Sequence, residues 1–220
     1  KTTSVVRLLG LLQTPAVESG KPLRIRLAAP TGKAAARLSE SIGKAVRELP
    51  VSAPVQEAIP TDVSTLHRLL GSRPDSRNFI HHRDKPLELD VLVVDEASMI
   101  DLEMMAYLLD ALPRQARLIL LGDKDQLASV DAGSVLGDLC RNAEAGGYSE
   151  QTMAWLEAHS GESVSAPGLQ TAVGAGDPLA QQTVMLRYSR RFDAQQGIGR
   201  LAKLVNEKNA AEARSLLNQQ

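Results

Sequence analysis

The sequence predicts an α/β fold built on a doubly wound parallel sheet, and three observations predict it. Apolar, β-branched runs alternate with helical patterns through the first 140 residues. The run Val91 to Asp95 is almost continuously apolar, as a strand covered on both faces must be. Apolar residues make up 43% of the 220 and aromatics only 3%, so the core that the sheet needs is built from Leu, Val, Ile and Ala.

The elements follow in order. Val5, Leu8, Leu9 and Leu12 keep the spacing of an amphipathic helix, which explains the apolar run between Lys1 and Leu12 better than a signal peptide does. Arg24 to Ala29 reads as a strand, and Lys33 to Leu49 as a helix with Leu38, Ile42, Val46 and Leu49 on one face. Pro50 to Asp62, with three prolines, reads as a loop. Gly71 to Lys85 is polar and basic, with Phe79 and Ile80 in a short hairpin. Asp101 stands where an N-cap belongs, before a helix expected to bury Leu102, Met105, Ala106 and Leu109. Arg117 to Gly122 is the next buried strand. Past Arg141 the chain thins into Gly, Ser, Ala and Pro, above all over Gly161 to Asp177. A strand-like Thr183 to Leu186 and helical patterns over Ile198 to Val205 and Ala210 to Leu217 suggest the start of a second domain. The expected division is a first domain at 1–140, a linker or crossing at 141–182 and the second domain from 183 to 220. No internal repeat is visible.

Twenty-five Lys and Arg stand against 26 Asp and Glu, a net charge of −1. That excludes a generally basic nucleic-acid binder, so any DNA contact comes from local patches. No apolar stretch approaches the roughly 18 residues that cross a bilayer, and no membrane partner is expected. The lone Cys140 cannot form an internal disulfide, which fits a reducing cytoplasm. With no initial Met, the expectation is a soluble internal segment of a longer cytoplasmic protein. His81 and His82 have no suitably spaced companions for zinc; Cys140 reads as core and Trp155 as isolated.

The chemistry concentrates after the strands. Leu92-Val93-Val94-Asp95-Glu96 delivers two adjacent carboxylates at the C-terminal end of a buried strand, where open α/β sheets hold ligands. In a nucleoside triphosphatase the first carboxylate, Asp95, holds Mg²⁺ and the second, Glu96, orients the attacking water; the competing reading is a pair capping a turn. Leu121-Gly122-Asp123-Lys124-Asp125-Gln126 presents an amide, Gln126, able to hydrogen-bond a γ-phosphate and that water, or is an ordinary polar turn. Lys1-Thr2-Thr3 before a helix matches the end of a phosphate-binding loop, Lys1 reaching the phosphates and Thr2 the Mg²⁺, as it matches any helix start of that composition. Pro30-Thr31-Gly32-Lys33 lies between strand and helix and suits a nucleic-acid phosphate. The following Lys33, Arg37, Lys44 and Arg47, interleaved with Glu40 and Glu48, also read as a solvated face. Thr65 and His67 offer another backbone contact, against a structural role for His67.

In this order the motifs resemble those of superfamily-1 DNA helicases. The phrases Ala-Pro-Thr-Gly-Lys-Ala-Ala-Ala-Arg-Leu, Thr-Leu-His-Arg-Leu-Leu-Gly, Val-Val-Asp-Glu-Ala-Ser-Met-Ile-Asp and Leu-Gly-Asp-Lys-Asp-Gln-Leu-Ala-Ser-Val-Asp-Ala-Gly are similar to the RecD type, the family of exodeoxyribonuclease V alpha subunits. The likeness is specific from Leu27 to Leu139 and returns near Leu186 to Val205, where Ser189-Arg190-Arg191-Phe192 resembles a fourth motif. It implies a RecA-like P-loop NTPase sheet with the beginning of a second RecA-like domain. It implies ATP and Mg²⁺ as cofactors, with Lys1, Thr2, Asp95, Glu96, Gln126 and Arg191 at the ATP site; Thr2 and Asp95 hold the metal, and Glu96, Gln126 and Arg191 serve catalysis. Pro30, Thr31, Gly32, Lys33, Thr65 and His67 then face single-stranded DNA. The family's motors move 5′ to 3′ on DNA beside RecB- and RecC-like subunits, in double-strand-break repair and recombination.

The sequence departs from that pattern in showing neither the glycines of the phosphate loop nor the two final motifs, so the isolated segment is expected to hydrolyse ATP poorly. Two other readings remain open: the RecD-like motor region of a conjugative relaxase, and a catalytically silent nucleotide-binding scaffold.

Overall fold

The computed structural model describes residues 2–76, 78–123, 135–165, 168–187, 197–206 and 209–217. Two compact units result, Lys1–Leu139 and Cys140–Gln220.

The first unit is the expected α/β layer structure. Strands β1 (Ile25–Ala29), β2 (Val63–Thr65), β3 (Val91–Val94) and β4 (Arg117–Leu120) form one sheet in the order β2-β1-β3-β4. All three pairings are parallel. From β1 the chain steps outward to β2, then crosses back over β1 to lay down β3 and β4. The strand order therefore reverses between β1 and β3, the position where parallel sheets open a crevice at their carboxyl ends.

Alternation of side chains divides the core in two. On one face Ile25, Leu27, Val91 and Val93 pack with Val5, Val6 and Leu9 of α1 (Thr2–Glu18), with Leu38, Ile42 and Val46 of α2 (Gly32–Arg47), and with Val55 of α3 (Ala53–Glu57). On the other, Ala28, Leu92 and Val94 are fully buried, as are Leu66 and Leu70 of α4 (Leu66–Leu70) and Leu108 of α5 (Leu102–Ala111). The helix over 32–47 buries the stripe read from its spacing. Its first turn is capped by Thr31, whose hydroxyl accepts from the Ala34 amide at 3.2 Å.

Several expectations need correction. The buried stripe of α1 is Val5, Val6, Leu9, Gly10 and Gln13, while Leu8 is exposed. This helix touches both α2 and α3, which turns its packed face away from the simple i, i+4 line. The stretch 50–62 is not all loop, since Pro54 opens the short α3, a position that asks for no amide donor. Asp101 caps α5 as expected, its Oδ1 accepting from Met104 N at 2.7 Å, but the buried residues are Met105, Leu108 and Ala111. Leu102 and Leu109 point to solvent at 63% and 55% exposure. So apolar a helix gives periodicity little power to choose its face. The described residues of 71–85 form two tight turns with bridges Arg73–Ser76 and His82–Lys85, and Phe79 and Ile80 come between them in the chain. Gly71 ends α4 at φ 76°, and a Cβ there would come within 2.8 Å of Ile80, so only glycine fits. β4 is half-buried because it stands at the edge of the described sheet.

At the amino ends of the strands, an exposed ion pair links the two central strands. The Asp90 carboxylate accepts from the Arg24 amide at 2.8 Å and from its guanidinium at 3.0 and 3.2 Å, joining the starts of β1 and β3. Those hydrogen bonds from Arg24 hold the Asp90 carboxyl below the usual carboxylate range.

In the second unit, β5 (Gly146–Ser149) pairs in parallel with β6 (Gln170–Ala172). Ordered structure therefore lies inside the stretch expected to be a linker. Helix α7 (Glu150–Ser160) is capped by Ser149 and ends on a left-handed Gly161. Gln181 accepts from Ser149 N at 2.9 Å and donates to Gly147 O at 3.0 Å, and Tyr148 Oη donates to Thr183 O at 2.6 Å. Thr183 to Leu186, read as a strand, joins no ladder among the described residues. Helices α8 (Gly197–Asn206) and α9 (Ala210–Leu217) fall where the sequence put them. Cys140 is half-buried in the turn after α6 (Val135–Leu139) rather than on a helix face. Trp155 is 59% exposed and stacks on His159 at 4.4 Å, so it is not isolated. Among the described residues no helix is long and apolar enough to cross a membrane.

Candidate functional site

The register levels the carboxyl ends of the four strands. Ala29 lies opposite Thr65, Ala28 opposite Val94, and Val94 opposite Leu120. One rim therefore carries Pro30 to Lys33 after β1, Thr65 to His67 after β2, Asp95 and Glu96 after β3, and Leu121 to Asp123 after β4. The strand order reverses between the first and third of these groups, the position at which parallel sheets bind ligands.

The acid pair is tightly built. Asp95 is 8% exposed, its amide donates to Ala28 O at 3.0 Å, and its Oδ1 accepts from the Glu96 amide at 2.8 Å. Glu96 adopts φ 52°, ψ 38°, and it is the one non-glycine with positive φ among the described residues. A side-chain-bearing residue in that region costs on the order of 1–3 kcal/mol unless its surroundings fix it. Here they do: Ala97 N donates to Leu121 O at 2.8 Å, and Met99 N to Glu96 O at 3.0 Å. A short 3₁₀ turn, Ala97–Met99, follows, with Ala97 and Ser98 buried. The bend turns the chain out of the buried strand at Glu96, which is half-buried where Asp95 is buried.

Gly122 completes the seat. A Cβ at this position would lie 2.3 Å from Leu136 Cδ2 and 3.0 Å from the backbone nitrogen of Ser98. The turn after β4 thus packs directly on the turn after Glu96, and the glycine is what permits it.

The nucleic-acid candidates follow β1 and β2 on the same rim. Thr31 and Thr65 are matched helix caps on adjacent strands, Thr65 Oγ1 accepting from Arg68 N at 3.2 Å. In each, the capping bond uses an oxygen lone pair and leaves the O–H able to donate. Gly32 and Lys33 are exposed at the first turn of α2. His67 is exposed and meets the Phe79 ring edge-on at 5.9 Å. A cleft of about 880 Å³ runs from Gly32 past Thr65 and Arg68 to Arg26 and His81.

The structure thus brings Asp95, Glu96, Pro30, Thr31, Gly32, Lys33, Thr65 and His67 to one rim. Thr2 Oγ1 lies 3.2 Å from Ser41 Oγ on α2, tying the start of α1 to that helix. Lys1, Gln126 and Arg191 lie outside the described residues. Two features went unseen in the sequence. The left-handed backbone of Glu96 has no sequence signature. Gln13 had one, a polar residue on an apolar helix face: it is fully buried, accepts from Leu23 N at 2.8 Å, and donates to Leu23 O and Ala58 O at 3.1 and 2.9 Å.

Comparison with known proteins agrees with this geometry. The AAA domain family matches residues 1–132. The RecBCD enzyme subunit RecD of Haemophilus influenzae is 43% identical over 222 residues, covering 99% of this chain and 33% of that protein. The subunit of the same name from Mycolicibacterium smegmatis is 48% identical over 189 residues, 84% of this chain and 33% of that protein. The ATP-dependent RecD2 DNA helicase of Deinococcus radiodurans is 42% identical over 121 residues, 55% of this chain and 14% of that protein. The chain spans about a third of the length of the two RecD subunits. A parallel sheet with an acid pair at its switch point, matched over more than half its length, is a nucleotide-binding layer of known kind: the chain belongs to the AAA domain family and carries a RecD-type sequence.

Proposed function

We propose that this chain forms the nucleotide-hydrolysing and strand-gripping part of an ATP-dependent DNA helicase, moving 5′ to 3′ on DNA as a RecD-type motor beside RecB- and RecC-like subunits in double-strand-break repair. The observation that carries the reading is the acid pair: a buried Asp95 followed by Glu96 in a left-handed bend, at the carboxyl end of a strand beside the strand-order reversal.

The two carboxylates suit different tasks. Asp95 is buried and oriented by the Glu96 amide, a fixed anion suited to a divalent cation. Asp95 would hold Mg²⁺ with phosphate oxygens and water completing its shell; the Thr2 hydroxyl, which lies 3.2 Å from Ser41 Oγ, would join it only by leaving that contact. When bound, Mg²⁺ neutralises charge on the phosphates. Glu96, half-buried beyond the bend, is suited to take a hydrogen bond from the attacking water and align it with the γ-phosphorus. Lys1 would reach the β- and γ-phosphates, Gln126 would hydrogen-bond the γ-phosphate and the water, and Arg191 would offset charge building on the γ-phosphate.

The strand-gripping half rests on Pro30, Thr31, Gly32, Lys33, Thr65 and His67. Two threonine hydroxyls one strand apart, an exposed Lys33 and the amides at the start of α2 match a phosphodiester backbone.

Glu96→Gln in the full-length protein tests the reading. The substitution keeps the size of the side chain, so ATP binding should persist while DNA-stimulated phosphate release falls by roughly 10²–10⁴-fold. Phosphate release at the wild-type rate would overturn the role of Glu96 and, with it, the hydrolytic reading of the rim.

A further inference from the structure

We propose that the cleft formed by His67, Phe79 and Tyr107 is a nucleobase seat, which holds one unpaired base of the strand whose backbone lies on Thr65 and Lys33. The inference rests on the strand-gripping reading and adds a site to it.

The chain has one Trp, three Tyr and two Phe in 220 residues, so two of them in one small cleft is a concentration. Phe79 lies at its centre, its ring 5.9 Å from that of His67 and 5.1 Å from that of Tyr107, both edge-to-face. The cleft encloses about 450 Å³, and its remaining lining is Ser72, Ser76, Asn78, Asp101, Glu103 and Met104. Phe79 and Tyr107 are only half-buried and His67 is exposed, so this aromatic row is open to a ligand rather than sealed in the core.

The charges say which part of a nucleotide enters. Asp101 and Glu103 line the cleft. Two carboxylates repel a phosphate but accept hydrogen bonds from the exocyclic amino groups of cytosine, adenine or guanine. Asn78, Ser72 and Ser76 add neutral donors and acceptors. Ring faces with carboxylate and amide groups at their rim fit a base.

The backbone seat lies next door. Gly32, Thr65 and Arg68 line the larger cleft, while His67, between Thr65 and Arg68 in sequence, lines this one. A strand crossing this segment therefore has phosphate-binding groups to one side and the aromatic row to the other.

The test uses the full-length protein, oligo-dC and an abasic strand of equal length, with affinities measured across a salt series. Stacking of one base on an aromatic side chain contributes about 1–3 kcal/mol, which is roughly 5- to 150-fold in affinity. Phe79→Leu keeps an apolar side chain and removes the ring. It should lower the preference for oligo-dC over the abasic strand by that factor and leave the salt slope unchanged, because no phosphate contact is lost. A 2-aminopurine placed along the strand should be quenched by the wild type at one position and regain its emission with Phe79→Leu. Tyr107→Phe, which keeps its ring, should keep both the preference and the quenching. Equal weakening of both strands by Phe79→Leu, or an unchanged preference, overturns the base seat. If Lys33→Ala meanwhile weakens both strands and flattens the salt slope, the strand-gripping reading survives that loss. A wild-type protein that binds neither strand overturns both.

Discussion

Gln13→Met should destabilise the first unit by about 3 kcal/mol, although it exchanges one unbranched side chain for another of similar length in a fully buried position. The Gln13 amide satisfies three backbone groups, Leu23 N, Leu23 O and Ala58 O, at 2.8, 3.1 and 2.9 Å. Those groups belong to the approach to β1 and to the end of α3, so one side chain ties α1 to both. Methionine fills the space and answers none of them. An unsatisfied buried backbone group costs about 1–3 kcal/mol. Leu23 and Ala58 are half-buried, so the low end applies to each of the three. With a urea dependence of roughly 2 kcal/mol per molar, the unfolding midpoint should fall by about 1.5 M at unchanged slope. Far-UV circular dichroism across a urea series measures it. A midpoint within about 0.3 M of wild type would mean that these bonds contribute little and that shape alone seats α1.

Two further substitutions probe the carboxyl and amino ends of the strands. Gly122→Ala drives a methyl group against Leu136 and the Ser98 backbone, and such overpacking costs about 1–3 kcal/mol. Because the displaced turn carries Glu96, ATP turnover should fall by more than the loss of folded protein explains; steady-state ATPase alongside thermal melting separates the two, and turnover tracking the folded fraction would count against the coupling. At the amino ends, Arg24 holds the Asp90 carboxyl below its usual range, so Asp90 binds protons more weakly folded than unfolded. Its contribution is present above the unfolded-state value and is lost as pH falls through the lower, folded one. Asp90→Asn should therefore be less stable than wild type near neutrality, with the gap closing in the acid range; a gap that is constant with pH would remove the ion pair from the account.

What the sequence disclosed followed from period and position. Three of the sheet's four strands, β1, β3 and β4, and the capped helix at 32–47 were legible because apolar β-branched runs and a clean i, i+4 stripe leave few alternatives; β2, three half-buried residues, has too little pattern to be read. The faces of α1 and α5 were not, because Leu8, Leu102 and Leu109 are as apolar as the residues that replaced them inside. Tertiary neighbours chose between equivalent stripes. At the site, residue types in order singled out Asp95, Glu96, Thr31 and Thr65, which the register sets on one rim. The bend at Glu96 was invisible because backbone torsion is set by the Leu121 carbonyl and the Asp95 carboxylate, a contact across strands and a contact within the pair. The aromatic row was hidden for a related reason: His67, Phe79 and Tyr107 are brought together by a turn-rich loop with no repeating period.

The twin threonine caps have a consequence for selectivity. In both Thr31 and Thr65 the oxygen is engaged by an amide of its own helix, so what each hydroxyl has to offer outward is a proton. A visitor that brings an acceptor oxygen can bond without disturbing either helix start. A donor finds only the second lone pair of an oxygen whose first is held by the Ala34 or Arg68 amide. Local folding thereby biases this rim toward acceptor oxygens, such as those of a phosphate, before any charged side chain is counted.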